Sequence, residues 1–431
     1  MIEKNNPKII RAWTMYDWAN SAYNLVITST IFPIYYNQAT RKAFGGETVE
    51  FLGMNIENTV LYTYAISFAF LVVLIMSPLL AGIADFGGRK KLFMQIFSYL
   101  GAFACMSLAL FTGENIEFGI SMAVLAMMGY AGSLVFYNAF LHDIVTPDQT
   151  DNVSARGYSM GYIGSVILFI LNLIMIKNKE LFGITDGQAA RLSFATTGLW
   201  WIGFAQVMFF GVPEVRKSVQ FTSKMITKGY QELFKVLGQI RQQSTIQTYL
   251  VAFFFYNMGV QTIMLLAATF GEKELHMESN QLITTVLVLQ LIAVAGSFAF
   301  AWVSKKYGNK IAIITMLVIW IGVCLAAYKV TTSNEFYALA VVIGLIMGGI
   351  QSLSRATYSK LIPENTHDSA SYFSFYDVVE KSSIVLGTFC YGLLEQLTGS
   401  MRNSALLLGL FFLIGLVIMN RVVSPALKGE K

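Results

Sequence analysis

Ala81-Gly82-Ile83-Ala84-Asp85-Phe86-Gly87-Gly88-Arg89-Lys90-Lys91 packs one acid, paired glycines and three cations between two long uncharged apolar runs. Each ingredient has a job in a tight turn between membrane helices. The glycines allow φ > 0 and close backbone approach. Asp85 can accept from backbone N–H groups at a neighbouring helix N-terminus, where the helix dipole favours an anion. Arg89, Lys90 and Lys91 hold the loop on the cytoplasmic side.

Composition agrees with that reading. The chain has 431 residues, 55% hydrophobic and only 13% charged, with a mean hydropathy of +0.58. A soluble chain of this length needs far more charge to cover its surface. The sequence therefore reads as an all-α, polytopic membrane protein whose partner is the lipid bilayer. Its net charge of +5 reports on topology, and no basic-aromatic motif for nucleic acid is present. Cys105, Cys324 and Cys390 fall inside apolar runs, with no disulfide framework and no Cys/His metal spacing. The stretch after Lys4, Lys8 and Arg11 is too long and polar for a cleaved signal.

Uncharged runs long enough to span predict twelve helices, near 11–38, 59–84, 92–113, 117–142, 155–177, 191–212, 246–270, 279–303, 310–329, 335–357, 370–396 and 403–423. Charge interrupts the first and the eleventh. Lys and Arg crowd the N-terminus, the even-to-odd loops and the tail, from Lys4 through Arg156, Arg216, Lys217, Lys305, Lys360, Lys428 and Lys431. The opposite side holds few, among them Arg41, Lys177 and Arg402. This asymmetry predicts both termini in the cytoplasm, and a bacterial inner membrane is expected.

The halves repeat. Asp143-Ile144-Val145-Thr146-Pro147-Asp148 follows the fourth span, and Lys360-Leu361-Ile362-Pro363-Glu364 follows the tenth. Lys305-Lys306-Tyr307-Gly308-Asn309-Lys310 is a degraded copy of the opening loop, and Tyr16-Asp17 has a counterpart in Tyr256-Asn257. The predicted organisation is two pseudo-symmetric six-helix bundles, 1–212 and 246–431, with a substrate site near the midplane between them. They are joined by a cytoplasmic connection, 213–245, whose Ile226, Tyr230, Leu233, Phe234, Leu237 and Ile240 recur at helical spacing. That pattern predicts an amphipathic surface helix in the headgroup region, with a plain linker as the alternative.

The opening stretch resembles the loop signature of the major facilitator superfamily at Asp85, Gly88, Arg89 and Lys90. Ala81 stands where the family usually has Gly, and Phe86 where it often has a cation. Tyr16-Asp17-Trp18-Ala19-Asn20-Ser21-Ala22-Tyr23 and Gly348-Gly349-Ile350-Gln351-Ser352-Leu353-Ser354-Arg355 resemble the vacuolar effluxer-like branch, as do Gly259-Val260-Gln261-Thr262 and Leu397-Thr398-Gly399-Ser400. The resemblance implies the major facilitator fold and amino-acid export, and it covers nearly the whole chain. Two positions depart from the branch: Met258 stands where members usually carry Asp, and Glu380 where they usually carry Gly. If the family Asp couples protons, Asp377 and Glu380 are the nearest replacements.

Charge inside a span costs a few kcal/mol on insertion scales, so each instance needs a reason. Asp17, Asn20, Asn24 and neighbouring hydroxyls share one face of the first span, and either line a cavity or leave Asp17 to pair with Arg11. Lys381 lies about 16 Å along its helix from Ala370, near the midplane. It either receives a substrate anion or neutralises Asp377 internally at i,i+4. Arg355 and Gln351 form a further stripe, suited to a carboxylate or to a gate. Asn138, Tyr256, Asn257 and Gln261 add hydrogen-bonding groups, which line a site or glue helices. Asp85, Gly88, Arg89, Asp143 and Arg156 resemble the superfamily's conformational latch, with a topological anchor as the alternative. Gly157, Gly161 and Gly164 read as close helix packing, and His142-Asp143 as structural.

These readings lead to a secondary active transporter rather than an enzyme, since no nucleophile, base and metal set converges. No cofactor is expected, and no Gly-x-x-x-x-Gly-Lys-Ser/Thr loop is present. The expected partners are a small zwitterionic or anionic metabolite, foremost an amino acid, and protons titrating Asp17, Asp377 or Glu380. A monomer is expected. Peptides, organic anions and cell-envelope fragments stay open as cargo, and a non-transporting scaffold or sensor as another class.

Overall fold

The computed structural model describes residues 3–214 and 224–423 of the protein. Arg216, Lys217, Lys428 and Lys431, which the charge count used, lie outside the described residues, as do the side chains of Lys224, Ile226 and Lys228.

The first predicted span is made of α1 (Pro7–Tyr23), a π-helical turn (Asn24–Thr28) and α2 (Ile31–Phe44). Asn6 caps α1 by accepting from the Lys8 amide at 3.0 Å, and Pro7 occupies the first turn, where a missing N–H costs nothing. A hairpin follows, β1 (Thr48–Phe51) against antiparallel β2 (Met54–Glu57), in the register Thr48↔Glu57. Leu52 and Gly53 turn it with φ of 50° and 77°, the pairing of positive angles that matches strand twist. The sequence reading contained no counterpart of this hairpin.

The remaining helices are α3 (Asn58–Gly87), α4 (Lys90–Ser107), α5 (Ile116–Ile144), α6 (Thr150–Lys177), α7 (Asp186–Gly211) and α8 (Lys224–Gln242). They continue as α9 (Ser244–Leu275), α10 (Ser279–Tyr307), α11 (Asn309–Lys329), α12 (Ser333–Leu361), α13 (Ser369–Thr398) and α14 (Met401–Met419). Among the described residues, ten helices are long and apolar enough to cross a membrane. They are α3–α7, α9–α12 and α14. The two other predicted spans coincide with α1–α2 and α13, which carry Asp17 and the Asp377–Glu380–Lys381 group. Reciprocal caps open α7 (Thr185 with Gln188) and α12 (Thr332 with Glu335).

The chain packs as two units. The first gathers Asn6–Asn138 with Met160–Gly229. In it α7 lies along both α1 and α4. A Cβ on Gly164 would stand 2.7 Å from the Trp18 carbonyl oxygen, so only glycine lets α6 approach α1 there. Lys91 and Glu214 staple this unit at its loops: the ammonium donates to the carbonyls of Phe209 and Val212, and Glu214 accepts from the Lys91 amide at 2.7 Å.

The second unit joins Ala139–Ser159 to the chain from Tyr230 onward. Here α10 packs on α12, and α9 packs on both α13 and α14. Helix α8 turns Leu233, Val236 and Ile240 inward and leaves Tyr230 and Phe234 exposed. Tyr372 donates its hydroxyl to Gln239 at 3.0 Å. Lys235 is held above its ordinary range first by its bond to Glu232 and then by Asp368.

Candidate functional site

Two polar constellations sit inside otherwise apolar helices, one in each unit. In the first, Asp17 is 5% exposed and accepts from the Tyr137 hydroxyl at 2.6 Å. Tyr137 is fixed in turn, its ring stacked on Trp13 at 4.5 Å and its carbonyl accepting from the Trp13 indole. A buried carboxylate held by so short a bond is tied to α5 as well as to α1. The adjacent Tyr16 shares a hydrogen bond of 2.6 Å with Ser98. Asn20 is buried, and among the described residues its amide nitrogen finds no partner. Asn24 opens the π turn, with its carbonyl accepting from the Ser29 amide at 3.1 Å. π turns recur at functional sites because they shift side chains off the regular helical stripe. Asn138 is half-buried near the end of α5.

In the second unit Lys381 is 4% exposed and lies between two carboxylates, Asp377 at 2.9 Å and Glu380 at 3.1 Å. The i,i+4 spacing brings Asp377 onto the ammonium, as helical geometry requires. Ser383 donates to the Glu380 carbonyl at 2.7 Å and accepts from Asn257 at 2.6 Å, which ties α13 to α9. Tyr256 shares a 2.8 Å bond with the Ser354 hydroxyl on α12.

A small cavity opens beside this group. Phe253, Tyr256 and Tyr376 line it, together with Asn257, Gln261, Gln351 and Glu380. Phe253 and Tyr376 are stacked at 4.3 Å, and Tyr256 meets Phe253 edge-on. Four of the sequence-selected residues, Tyr256, Asn257, Gln261 and Gln351, thus share one wall with Glu380, while Lys381 and Asp377 stand just behind it. Met258 is buried close to Gly387, with an apolar side chain where a carboxylate was expected from the family pattern.

Arg355 does not line this cavity. It is 2% exposed, donates from Nε to the Ser154 hydroxyl at 3.0 Å and from Nη2 to the Ser154 carbonyl at 2.9 Å. Its guanidinium also lies over the Tyr158 ring, 4.2 Å from the centroid. The planar fork thus ties α12 to Ser154 and Tyr158 on α6, the geometry of a strut. Beyond it Asp151 is 6% exposed and accepts from Lys360 at 2.7 Å, Ser304 at 2.8 Å and Asn309 at 2.8 Å. Sequence reasoning missed Asp151, Asn309 and Ser154. The signal was present, since Asp151 and Lys360 lie in the two repeated loops, but Lys360 was read as a topological cation alone.

Of the latch residues, Asp85 is 1% exposed and pairs with Lys90 at 3.5 Å, both in the first unit. Gly88 ends α3 with φ of 61°, and the Arg89 amide returns to the Ala84 carbonyl at 2.9 Å. Asp143 and Arg156 belong to the second unit, where Asp143 accepts from Ser369 at 2.9 Å and Arg156 is exposed. Nearby, the Thr146 hydroxyl holds the Asp148 carboxyl below its ordinary range.

Residues 5–429 match the family described as "Vacuole effluxer Atg22 like". The chain is 32% identical to an uncharacterized MFS-type transporter, YxiO, of Bacillus subtilis, over 95% of this chain and 93% of that one. It is 22% identical to autophagy-related protein 22 of Saccharomyces cerevisiae, over 84% and 77% of the two chains. Among solved structures it resembles the major facilitator transporter FucP in the outward conformation, with a TM-score of 0.70 at 13% identity, covering 97% and 99% of the chains. The human organic anion transporter MFSD10 gives a TM-score of 0.70 at 12% identity, covering 96% and 100%. The chain belongs to the vacuole effluxer family, and its fold is the all-α fold of the major facilitator superfamily.

Proposed function

We propose that this major facilitator-type transporter carries a small amino-acid-like metabolite by alternating access, with its cargo held against the cavity of the second unit. The observation that carries this reading is the cavity itself. Its aromatic wall, its amides from Asn257, Gln261 and Gln351 and its single carboxylate from Glu380 supply an apolar surface with a few convergent polar groups.

Export is supported by the family's description as effluxers. Coupling to protons is supported by the buried carboxylates of Asp17 and Asp377 together with Glu380 at the cavity. The relative in Bacillus subtilis supports a bacterial plasma membrane, and the Lys/Arg asymmetry supports cytoplasmic termini. The proposed organisation is two six-helix repeats, 1–212 and 246–431, with 213–245 between them. Lys381 acts here by holding Asp377 and Glu380 in place, and Arg355 by bracing Ser154.

Counterflow tests the reading. Proteoliposomes preloaded with a mixed unlabelled amino-acid pool should accumulate labelled amino acids from outside. Gln261→Leu removes a polar group from the cavity wall without touching the Lys381 ion pairs, and should reduce accumulation by about tenfold. No accumulation in folded wild type would reject an amino-acid cargo.

Asp85, Gly88 and Arg89, with Asp143 and Arg156, are proposed as the conformational latch. Asp85→Asn should then lower flux while leaving the affinity for cargo within about twofold, because it biases states without altering contacts to the ligand. Equilibrium binding beside flux checks this, and lost binding would reassign Asp85 to the folding of its loop.

A further inference from the structure

The two copies of the repeated turn are put to different uses. In register, Lys305 and Lys306 fall where Asp85 and Phe86 stand, Trp302 falls at Gly82, and Gly308 keeps the positive φ of Gly88, 85° against 61°. In the first copy the acid is buried against Lys90, and Lys91 is spent on the carbonyls of Phe209 and Val212. Helix α8 lies against that turn. A Cβ on Gly82 would overlap the Gly229 carbonyl oxygen, so the covering helix needs glycine beneath it. The second copy has a tryptophan at that place, 60% exposed, and a Cβ on Gly308 would meet open space.

The face left open belongs to the bilayer. On α10, Leu291, Ala295, Phe298, Trp302 and then Lys305 and Lys306 are exposed at steps of three and four. Ile311, Val318 and Leu325 continue an apolar face on α11. The lysines that end the α10 stripe therefore emerge in the headgroup layer, beside interfacial aromatics. Neither is spent on a carboxylate. Among the described residues Lys305 and Lys306 form no ion pair, and α10 and α11 hold no Asp or Glu. By contrast Lys360 pairs with Asp151, and Lys235 with Glu232. The Lys306 ammonium lies 5.5 Å from the Trp302 ring centre and 5.1 Å from that of Tyr307, which holds its charge in place without neutralising it. Lys310 donates to the Asn420 carbonyl at 2.7 Å, bringing the end of α14 and the exposed Arg421 beside the start of α11.

We propose that this end of α10 binds an anionic glycerophospholipid. Lys305 and Lys306 receive the headgroup phosphate, and Trp302 and Phe298 take the start of an acyl chain. Charge complementarity selects the occupant: unopposed ammonium groups at the end of an apolar stripe match a phosphate carried on a hydrocarbon chain. A soluble anion would make no use of the stripe. The site does not depend on what the transporter carries.

Native mass spectrometry of the full chain in detergent tests this, with phosphatidylglycerol and phosphatidylcholine of the same acyl chains as probes. Phosphatidylglycerol should bind more tightly. Lys305→Gln/Lys306→Gln should weaken it by about ten- to thirtyfold and leave phosphatidylcholine unchanged. Trp302→Leu should weaken it by about two- to fivefold, through loss of the ring beside Lys306. Lys4→Gln/Lys8→Gln removes the same charge from the N-terminal stretch and should leave the preference intact. The three substituted side chains of the site are exposed, so melting temperatures should match wild type. Equal binding of the two lipids, or an equal loss in the Lys4/Lys8 variant, would overturn the site. Competition by soluble glycerophosphoglycerol at the same concentrations would make it a free-phosphate site and overturn the lipid.

Discussion

Lys381→Met should destabilise the protein by about 3–5 kcal/mol, because removing one member of a buried ion group strands the charges it neutralised. Two carboxylates would remain, one of them at 4% exposure, each without the ammonium that now holds it. Each could shed its charge only by taking up a proton. The companion Asp377→Asn/Glu380→Gln/Lys381→Met replaces the whole group with neutral side chains of similar volume. It should recover most of the loss, since swapping a complete buried ion group for neutral residues is often close to neutral. The recovered variant should still fail to carry cargo, because the cavity has lost its carboxylate. Thermal melting in detergent, alongside flux, reads both effects. A single variant as stable as wild type would mean the ammonium is not the keystone of this group.

The second large effect belongs to Asp151. Its carboxylate takes hydrogen bonds from Lys360, Ser304 and Asn309, and Lys360 adds one to the Asn309 side-chain oxygen at 2.9 Å. Asp151→Ala should cost about 3–5 kcal/mol by leaving a half-buried ammonium without its counter-ion. Asp151→Asn keeps the shape and should cost less. Adding Lys360→Met to Asp151→Ala should return much of the stability, so the pair should be strongly non-additive. A melting-temperature cycle over the two positions measures that coupling. Additive losses would mean Lys360 draws its support from elsewhere.

The sequence revealed the architecture through local rules. Among the described residues ten of the twelve predicted spans are helices long and apolar enough to cross a membrane, and the Asp85–Lys91 turn names its own place between two of them. The link between Asp377 and Lys381 was readable too, since i,i+4 geometry follows from the helix alone. Other contacts had no local signature. Ser154 and Arg355 are separated by 201 positions, and nothing in either neighbourhood says that the guanidinium fork closes on that hydroxyl. Glu380 follows Asp377 by three and adjoins Lys381, so spacing allowed it to pair, to face lipid or to face a cavity. Packing gives it both the pairing with Lys381 and a place on the cavity wall. The π turn at Asn24–Thr28 was equally silent, because it follows from how the helix accommodates its neighbours rather than from a residue preference. The hairpin turn was hidden for another reason: Leu52 adopts positive φ, where Asn or Gly would have announced it.

The two spans that fall short of the apolar threshold also set the order in which the chain can be made. A charged residue at the centre of a span raises its insertion cost by about 2.5–3.5 kcal/mol, so neither α1 nor α13 partitions into lipid on its own merits. Each is sheltered by packing partners elsewhere in the chain, the later α7 for α1, and the earlier α9 with the later α14 for α13. During synthesis α1 is therefore expected to linger at the translocon, or beside an insertase, until α5 has emerged and Tyr137 can hold Asp17. The residues best placed to handle cargo are thus the ones that make biogenesis non-sequential. An insertase that shields α1 and α13 would control the yield of this protein more strongly than the hydrophobicity of its other ten helices.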